Sequence, residues 1–138
     1  MKRVTGIGGV FFKANDAAAL REWYRKHLGI DIETWGGTAF RWQDDPGVQN
    51  GTTVWSIFDA TTQYMQPSTS PFMINYRVAD LPAVLEALRQ EGCDVDSRMD
   101  ESEFGKFGWV MDPEGNRIEL WQPPSEDPKV EDATTSSS

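Results

Sequence analysis

GGVFFKANDAAALREWYRKHLGI (residues 8–30) and FMINYRVADLPAVLEALRQEGCDV (residues 72–95) are two copies of one pattern. Each runs from bulky apolar residues through an aspartate into an amphipathic stretch, then meets a glycine. Asp16 and Asp80 set the register at an offset of 80 − 16 = 64. The same offset carries TTVWSIF (52–58) onto the RIELW stretch that follows Asp112-Pro113-Glu114-Gly115. A repeat spanning a strand, a helix and later strands describes two halves of one architecture, not short solenoid units. Two copies of a half-barrel enclose a shared cleft, with equivalent positions facing each other across it.

Residues 7–14 are bulky and apolar, which predicts a strand buried on both sides. Asn15 or Asp16 then caps a helix. Leu20, Trp23, Tyr24 and Leu28 form its buried stripe, and Gly29 ends it. In the second copy residues 72–78 are the strand, Asp80 caps the helix, and Pro82 fits its first turn. Val84, Leu85 and Leu88 face inward there, and Gly92 is the stop. Three strands follow each helix, at 31–35, 38–43 and 52–58, then at 94–99, 106–111 and 117–121. Turns at Gly36-Gly37, Asp45-Pro46-Gly47, Asn50-Gly51 and 112–115 punctuate them. The expected fold is α+β: two βαβββ modules, near 4–59 and 72–122, joined by a Pro- and Ser/Thr-containing linker at 60–71. Residues 1–122 then make one domain.

The chain has 138 residues, enough for one domain with a real core. Six Trp, seven Phe and three Tyr supply aromatic surface for that core or for an apolar pocket. The net charge of −9 argues against nucleic acid or an anionic membrane as partner. A single cysteine, Cys93, rules out an intrachain disulfide and a CxxC zinc site, so a cytoplasmic setting is expected. The run at MKRVTGIGGVFFK is glycine-broken and too short for a signal-peptide core or a bilayer span. PPSEDPKVEDATTSSS, from 123 to 138, offers almost nothing to bury and is expected to be disordered. Asn50-Gly51-Thr52 matches a glycosylation acceptor, but Asn-Gly reads first as a turn.

REWYRKHLGI resembles the helix-end signature of the glyoxalase/bleomycin-resistance/dioxygenase superfamily, the vicinal oxygen chelate proteins. MDPEGNRIELWQP is similar to that superfamily's Asp-Pro-x-Gly-Asn-x-Ile-Glu-Leu motif, and the likeness covers residues 4–122. The resemblance implies a cupped open barrel with helices outside and a ligand cleft within. It also implies a homodimer, with the modules paired within or between chains. In metal enzymes of the superfamily the ligands lie on the first and last strand of each module. Carried onto this chain, those positions are Gly9, Trp55, Met73 and Glu119, and the repeat agrees, since 73 − 9 and 119 − 55 both equal 64.

Of those four, only Glu119 suits a divalent ion: glycine has no side chain, indole has no free lone pair, and a thioether is too soft. The expectation is no metal and no other cofactor. The lone histidine, His27, lies between Lys26 and Leu28 on the first helix and has no second imidazole to complete a dioxygenase site.

Strand alternation assigns the cleft. Residues sharing parity with the four carried positions are Gly9, Phe11 and Lys13; Thr53, Trp55 and Ile57; Met73, Asn75 and Arg77; Arg117, Glu119 and Trp121. The opposite parity (Val10, Phe12, Val54, Phe58, Ile74, Tyr76, Val78, Ile118 and Leu120) is apolar and suits packing beneath the helices. The candidate ligand-binding residues are therefore Phe11, Trp55, Ile57, Met73, Asn75, Arg77, Arg117 and Trp121. Trp55 and Met73 could equally fill the old metal cavity. Glu119 is the candidate catalytic or ligand-orienting residue. A carboxylate in such surroundings needs Arg117, Arg77 or a ligand donor beside it, or else a proton. Residues 100–108, with Phe104 and Phe107, could form a rim over the cleft.

Gly6-Ile7-Gly8-Gly9 lacks the pattern of a dinucleotide loop, and no nucleophile stands beside a base. The reading that follows is a metal-free cleft that sequesters a small aromatic or cationic molecule, similar to the bleomycin-resistance branch. A lyase or isomerase working through Glu119 or through non-standard metal ligands is the alternative. A non-catalytic dimeric scaffold is the third.

Overall fold

A computed structural model describes residues 3–44 and 50–124. The expected turn at Asp45-Pro46-Gly47 and residues 125–138 of the tail lie outside them. The elements run β1 (Val4–Ala14), α1 (Ala17–Leu28), β2 (Gly37–Arg41), a short 3-10 turn (Trp42–Asp44), β3 (Thr52–Asp59), β4 (Phe72–Val78), α2 (Leu81–Gln90), β5 (Asp94–Ser102), β6 (Gly105–Met111) and β7 (Arg117–Gln122). Both helices begin where the sequence places a cap. Asp16 accepts from the Ala19 amide at 3.0 Å and Asp80 from the Ala83 amide at 3.1 Å. Gly29 takes φ 68° and returns its N–H to the Arg25 carbonyl, closing α1 in a left-handed turn.

The strands form one mixed sheet in the order β2-β3-β1-β4-β7-β6-β5. The halves meet inside one chain, where β1 runs antiparallel to β4 with Phe11 opposite Met73 and Gly9 opposite Asn75. Gly9 and Met73 are repeat equivalents, as are Phe11 and Asn75. The crossed pairing is what a two-fold relation between the copies requires. β3 lies parallel to β1, and β7 lies parallel to β4 in the same way.

Residues 31–35 form no strand, so the first half carries three strands where the second carries four. Arg21 of α1 supports this segment instead. Its Nη2 donates to the Ile57 carbonyl at 2.7 Å, and its guanidinium packs so closely on Gly36 that a Cβ there would lie 2.9 Å from Nη2. Gly36 itself sits at φ 99°, a conformation that side-chain-bearing residues rarely adopt.

A second difference decides the site. In the second half Asn75 pairs with Glu119, 119 − 75 = 44 residues apart. In the first half Phe11 pairs with Ser56, 56 − 11 = 45 apart. This one-residue slip turns every β3 side chain to the other face of the sheet. Trp55 and Ile57 therefore lie beneath α1, where the Trp55 ring sits 5.1 Å from Tyr24 and 5.6 Å from Phe12. Val54 and Phe58 turn to the concave face with Phe11.

Apolar packing follows the two faces. Under α2, Val78, Leu81, Val84, Leu85, Val110 and Leu120 form a sealed cluster with Leu88 and Ile118 at its edge. On the concave side Phe11, Met65, Met73 and Trp109 form a second cluster. Burying each such side chain contributes about 1.5–3 kcal/mol. α1 is less committed. Its inner stripe is Ala17, Leu20, Arg21 and Tyr24, while Trp23 and Leu28 are 49% and 61% exposed, contrary to the expected stripe. Among the described residues, no helix is long and apolar enough to cross a membrane.

Candidate functional site

The concave face holds a cavity of about 320 Å³. Phe11, Trp35, Val54, Phe58, Phe107 and Trp121 make apolar walls, and Thr52, Tyr64, Asn75 and Glu119 bring the polar atoms. A few polar groups within an aromatic concavity is the usual constitution of a small-molecule site.

Glu119 is 2% exposed, and its carboxyl group is met by three neutral donors. Asn75 Nδ2 donates to Oε1 at 2.7 Å, Trp109 Nε1 donates to Oε2 at 3.0 Å, and the Tyr64 hydroxyl also donates to Oε2. Burial pushes the carboxyl pKa upward, and the three donors only partly oppose it. Burial and the neighbouring acid also raise the Tyr64 hydroxyl, so Tyr64 serves as a donor and not as a base. One atom in this network is left over: Asn75 Oδ1 is buried without a partner. It lies over Gly8, where an added Cβ would come within 2.2 Å of it.

Neither arginine expected beside Glu119 hydrogen-bonds to it, although the charge of Arg117 also favours the ionised carboxylate. Arg117 is buried, donates to the Tyr64 carbonyl, and stacks 4.8 Å from the Trp109 ring centroid. Arg77 donates to the Thr52 carbonyl at 3.2 Å and lies over Trp42 and Trp121. Both lie on the same face of the sheet as Asn75 and Glu119 and pack against the rings that surround the site. Phe11, Asn75, Glu119 and Trp121 stand in the cavity wall, whereas Met73 is packed solid between Phe11, Met65 and Trp109. Trp55 and Ile57 are not brought to the cavity, because of the slip in β3. Phe104 and Phe107 belong to the β5–β6 hairpin and are held against Trp121. The Phe104 carbonyl accepts from Trp121 Nε1 at 2.8 Å, and Phe107 stacks 6.1 Å from the indole. His27 is exposed and rests 5.1 Å from Trp23.

Sequence reasoning missed Tyr64 and Met65, both in the segment treated as a linker. The available signal was a tyrosine and a methionine in an otherwise polar, Pro-containing stretch. It also missed Trp109, since β6 carries no repeat-derived motif.

The donor set does not suit a divalent ion. Asn75, Tyr64 and Trp109 surround the carboxylate, so its oxygens already face N–H and O–H hydrogens and the neighbours offer no second ligand. No group of three or more His, Cys, Asp or Glu side chains could hold a metal among the described residues.

Residues 9–121 match a family model described as a glyoxalase-like domain, and the chain belongs to that family. Three solved structures share the fold. Methylmalonyl-CoA epimerase from Mycobacterium tuberculosis is 20% identical, with 90% of this chain and 91% of that one covered, at a TM-score of 0.59. Streptomyces coelicolor methylmalonyl-CoA epimerase in complex with 2-nitronate-propionyl-CoA is 17% identical, with 87% and 98% covered, at 0.60. A glyoxalase/bleomycin resistance protein/dioxygenase superfamily member from Vibrio splendidus 12B01 is 11% identical, with 84% and 97% covered, at 0.53. A search of curated protein sequences finds no match.

Proposed function

We propose that this protein binds a small, flat, largely apolar molecule in the concave cavity, without a resident metal ion, as a sequestering protein of the resistance type. The supporting observation is the cavity itself, an aromatic chamber in which Glu119 is the single acid among the described lining residues and is met by neutral donors. Of the two ligand classes expected, the aromatic one has the better support. A cation would need an ionised Glu119, and burial works against ionisation. Titration of neutral and cationic aromatic compounds, followed by tryptophan fluorescence and thermal shift, tests this. A neutral aromatic should saturate, change Trp121 and Trp35 emission and raise the melting temperature. Failure of every neutral aromatic at millimolar concentration would refute the proposal.

A second reading is proton transfer of the isomerase type at Glu119. Burial, which raises the Glu119 pKa and makes the carboxylate the stronger proton acceptor, supports it. Exchange of a ligand C–H for deuterium in heavy water, lost in Glu119→Gln, distinguishes turnover from storage. The same proposal includes a homodimer in the cytoplasm. Exposed Trp23 and Leu28 on α1 support self-association, which sedimentation would measure directly.

A further inference from the structure

We propose that a second cleft, polar and adjoining the first, takes a carboxylate carried by the same ligand, so that the preferred ligand is a flat aromatic acid. The inference rests on the reading of the main cavity as a binding site. The cleft has a volume of about 280 Å³ and lies at the end of β3, beside the segment that forms no strand. Trp35 and Phe58 wall both spaces, so one molecule can present its apolar body to the first and a polar end to the second.

Arg21 supplies the charge. It comes from the inner stripe of α1, its Nη2 is bonded to the Ile57 carbonyl, and its Nε is buried with no partner. A guanidinium has five N–H donors, and leaving them unmet in a buried place is unfavourable. An oxyanion in the cleft, which Arg21 lines, pairs with the Nη groups of the guanidinium through charge-assisted hydrogen bonds, while Nε itself stays closed against Gly36. Thr62 adds a hydroxyl: its Oγ1 already accepts from the Tyr64 amide at 3.2 Å, so its own proton remains to be given. Ser56 and Thr61 contribute two further hydroxyls to the wall.

The same wall limits the charge of the guest. Asp59 is the only acid among the described residues that line it, and it is exposed. One guanidinium opposed by one aspartate suits a monoanion such as a carboxylate better than a phosphate dianion. Thr62 also leads within two residues to Tyr64, so the end of β3 connects the anion cleft with the floor of the cavity.

Calorimetric titration of the full chain with 2-naphthoate and its neutral counterpart 2-naphthamide tests the inference. The acid should bind about tenfold tighter, as expected for a hydrogen bond to a charged group. Arg21→Gln should abolish that preference and leave 2-naphthamide within about twofold of its original affinity. Because Arg21 also holds the Ile57 carbonyl, a second variant on the exposed rim carries the test independently. Asp59→Asn should strengthen 2-naphthoate binding a few-fold and leave 2-naphthamide unchanged. Equal affinity for the two probes in the unmodified protein, or no response to Asp59→Asn, overturns the inference while the cavity reading stands. Failure of both probes to bind overturns the cavity reading and this inference with it.

Discussion

The Tyr64 hydroxyl donates to Glu119 across a sequence separation of 55 residues. One residue belongs to the connection between the halves, the other to the last strand. The connection therefore supplies part of the site wall, and Met65 beside it is fully buried in the concave cluster. A buried carboxyl needs donors, and a polar segment that can fold over the cleft is a ready source of them. The consequences can be measured.

Glu119 gives stability a pH dependence of defined sign. Burial holds its folded pKa above the ordinary carboxyl value, so the folded state keeps a proton that the unfolded chain releases. The resulting stabilisation is fully present below that unfolded value and is lost as pH rises through the folded pKa. Urea unfolding followed as pH rises above the ordinary carboxyl range should show this loss, and Glu119→Gln should flatten it. The glutamine variant should remain folded, because turning over the Asn75 amide lets its orphaned Oδ1 accept from the new Nε2. Glu119→Leu, which strands three donors, should cost about 3 kcal/mol or more. A steeper pH slope in Glu119→Gln than in the unmodified protein would contradict the assignment.

Tyr64→Phe removes one donor to Oε2 and leaves Trp109 in place. Stability should fall by about 1–2 kcal/mol at neutral pH. Because the Tyr64 bond holds the Glu119 pKa down, its loss should move the pH-dependent window upward. Chemical denaturation across pH measures both. An unchanged window would mean that the hydroxyl does not reach the carboxyl in solution.

Gly8 sits at an irregularity in the β1–β4 pairing, under the Asn75 amide. A Cβ there would lie 2.2 Å from Asn75 Oδ1 and 2.9 Å from Trp121 Cε3, so buried groups would have to move. Gly8→Ala should destabilise by about 1–3 kcal/mol. It should also weaken binding of any neutral aromatic ligand at least about tenfold, since Asn75 and Trp121 both line the cavity. Retention of full affinity would place the ligand elsewhere.

Zinc, nickel, manganese and iron(II) should neither co-purify with the protein at one equivalent per chain nor shift its melting temperature. The expectation follows from the donors around Glu119, which point hydrogens and not lone pairs at its oxygens. Elemental analysis checks it. Stoichiometric metal lost on mutating Glu119 would defeat it.

Legibility from sequence followed the range of the forces involved. Both caps, the glycine stop after α1 and the Asp-Pro-Glu-Gly turn depend on neighbours a few residues away. Each could be read directly. Glu119 and Asn75 stand in the cavity wall because β4 and β7 keep the repeat register. Trp55 and Ile57 were misplaced because that register slips by one residue in β3. A signal existed: Ile118 and Leu120, under α2, form a purely apolar pair, and the matching pair in β3 is Trp55 and Ile57. The expected strand at 31–35 failed for a reason no pattern shows, since the Arg21 side chain from α1 supports a different backbone path there.

The amino-acid sequence alone specified a duplicated α+β fold, its helix boundaries, and an acid on the last strand. These depend on periodicity, local hydrogen bonding and side-chain chemistry, all written in consecutive residues. Only the tertiary structure decided which face of β3 meets the cleft, that Tyr64 closes on Glu119, and that Arg21 opens a polar space beside the aromatic one. Those outcomes depend on where distant segments come to rest, and a one-residue shift in pairing is enough to reverse them.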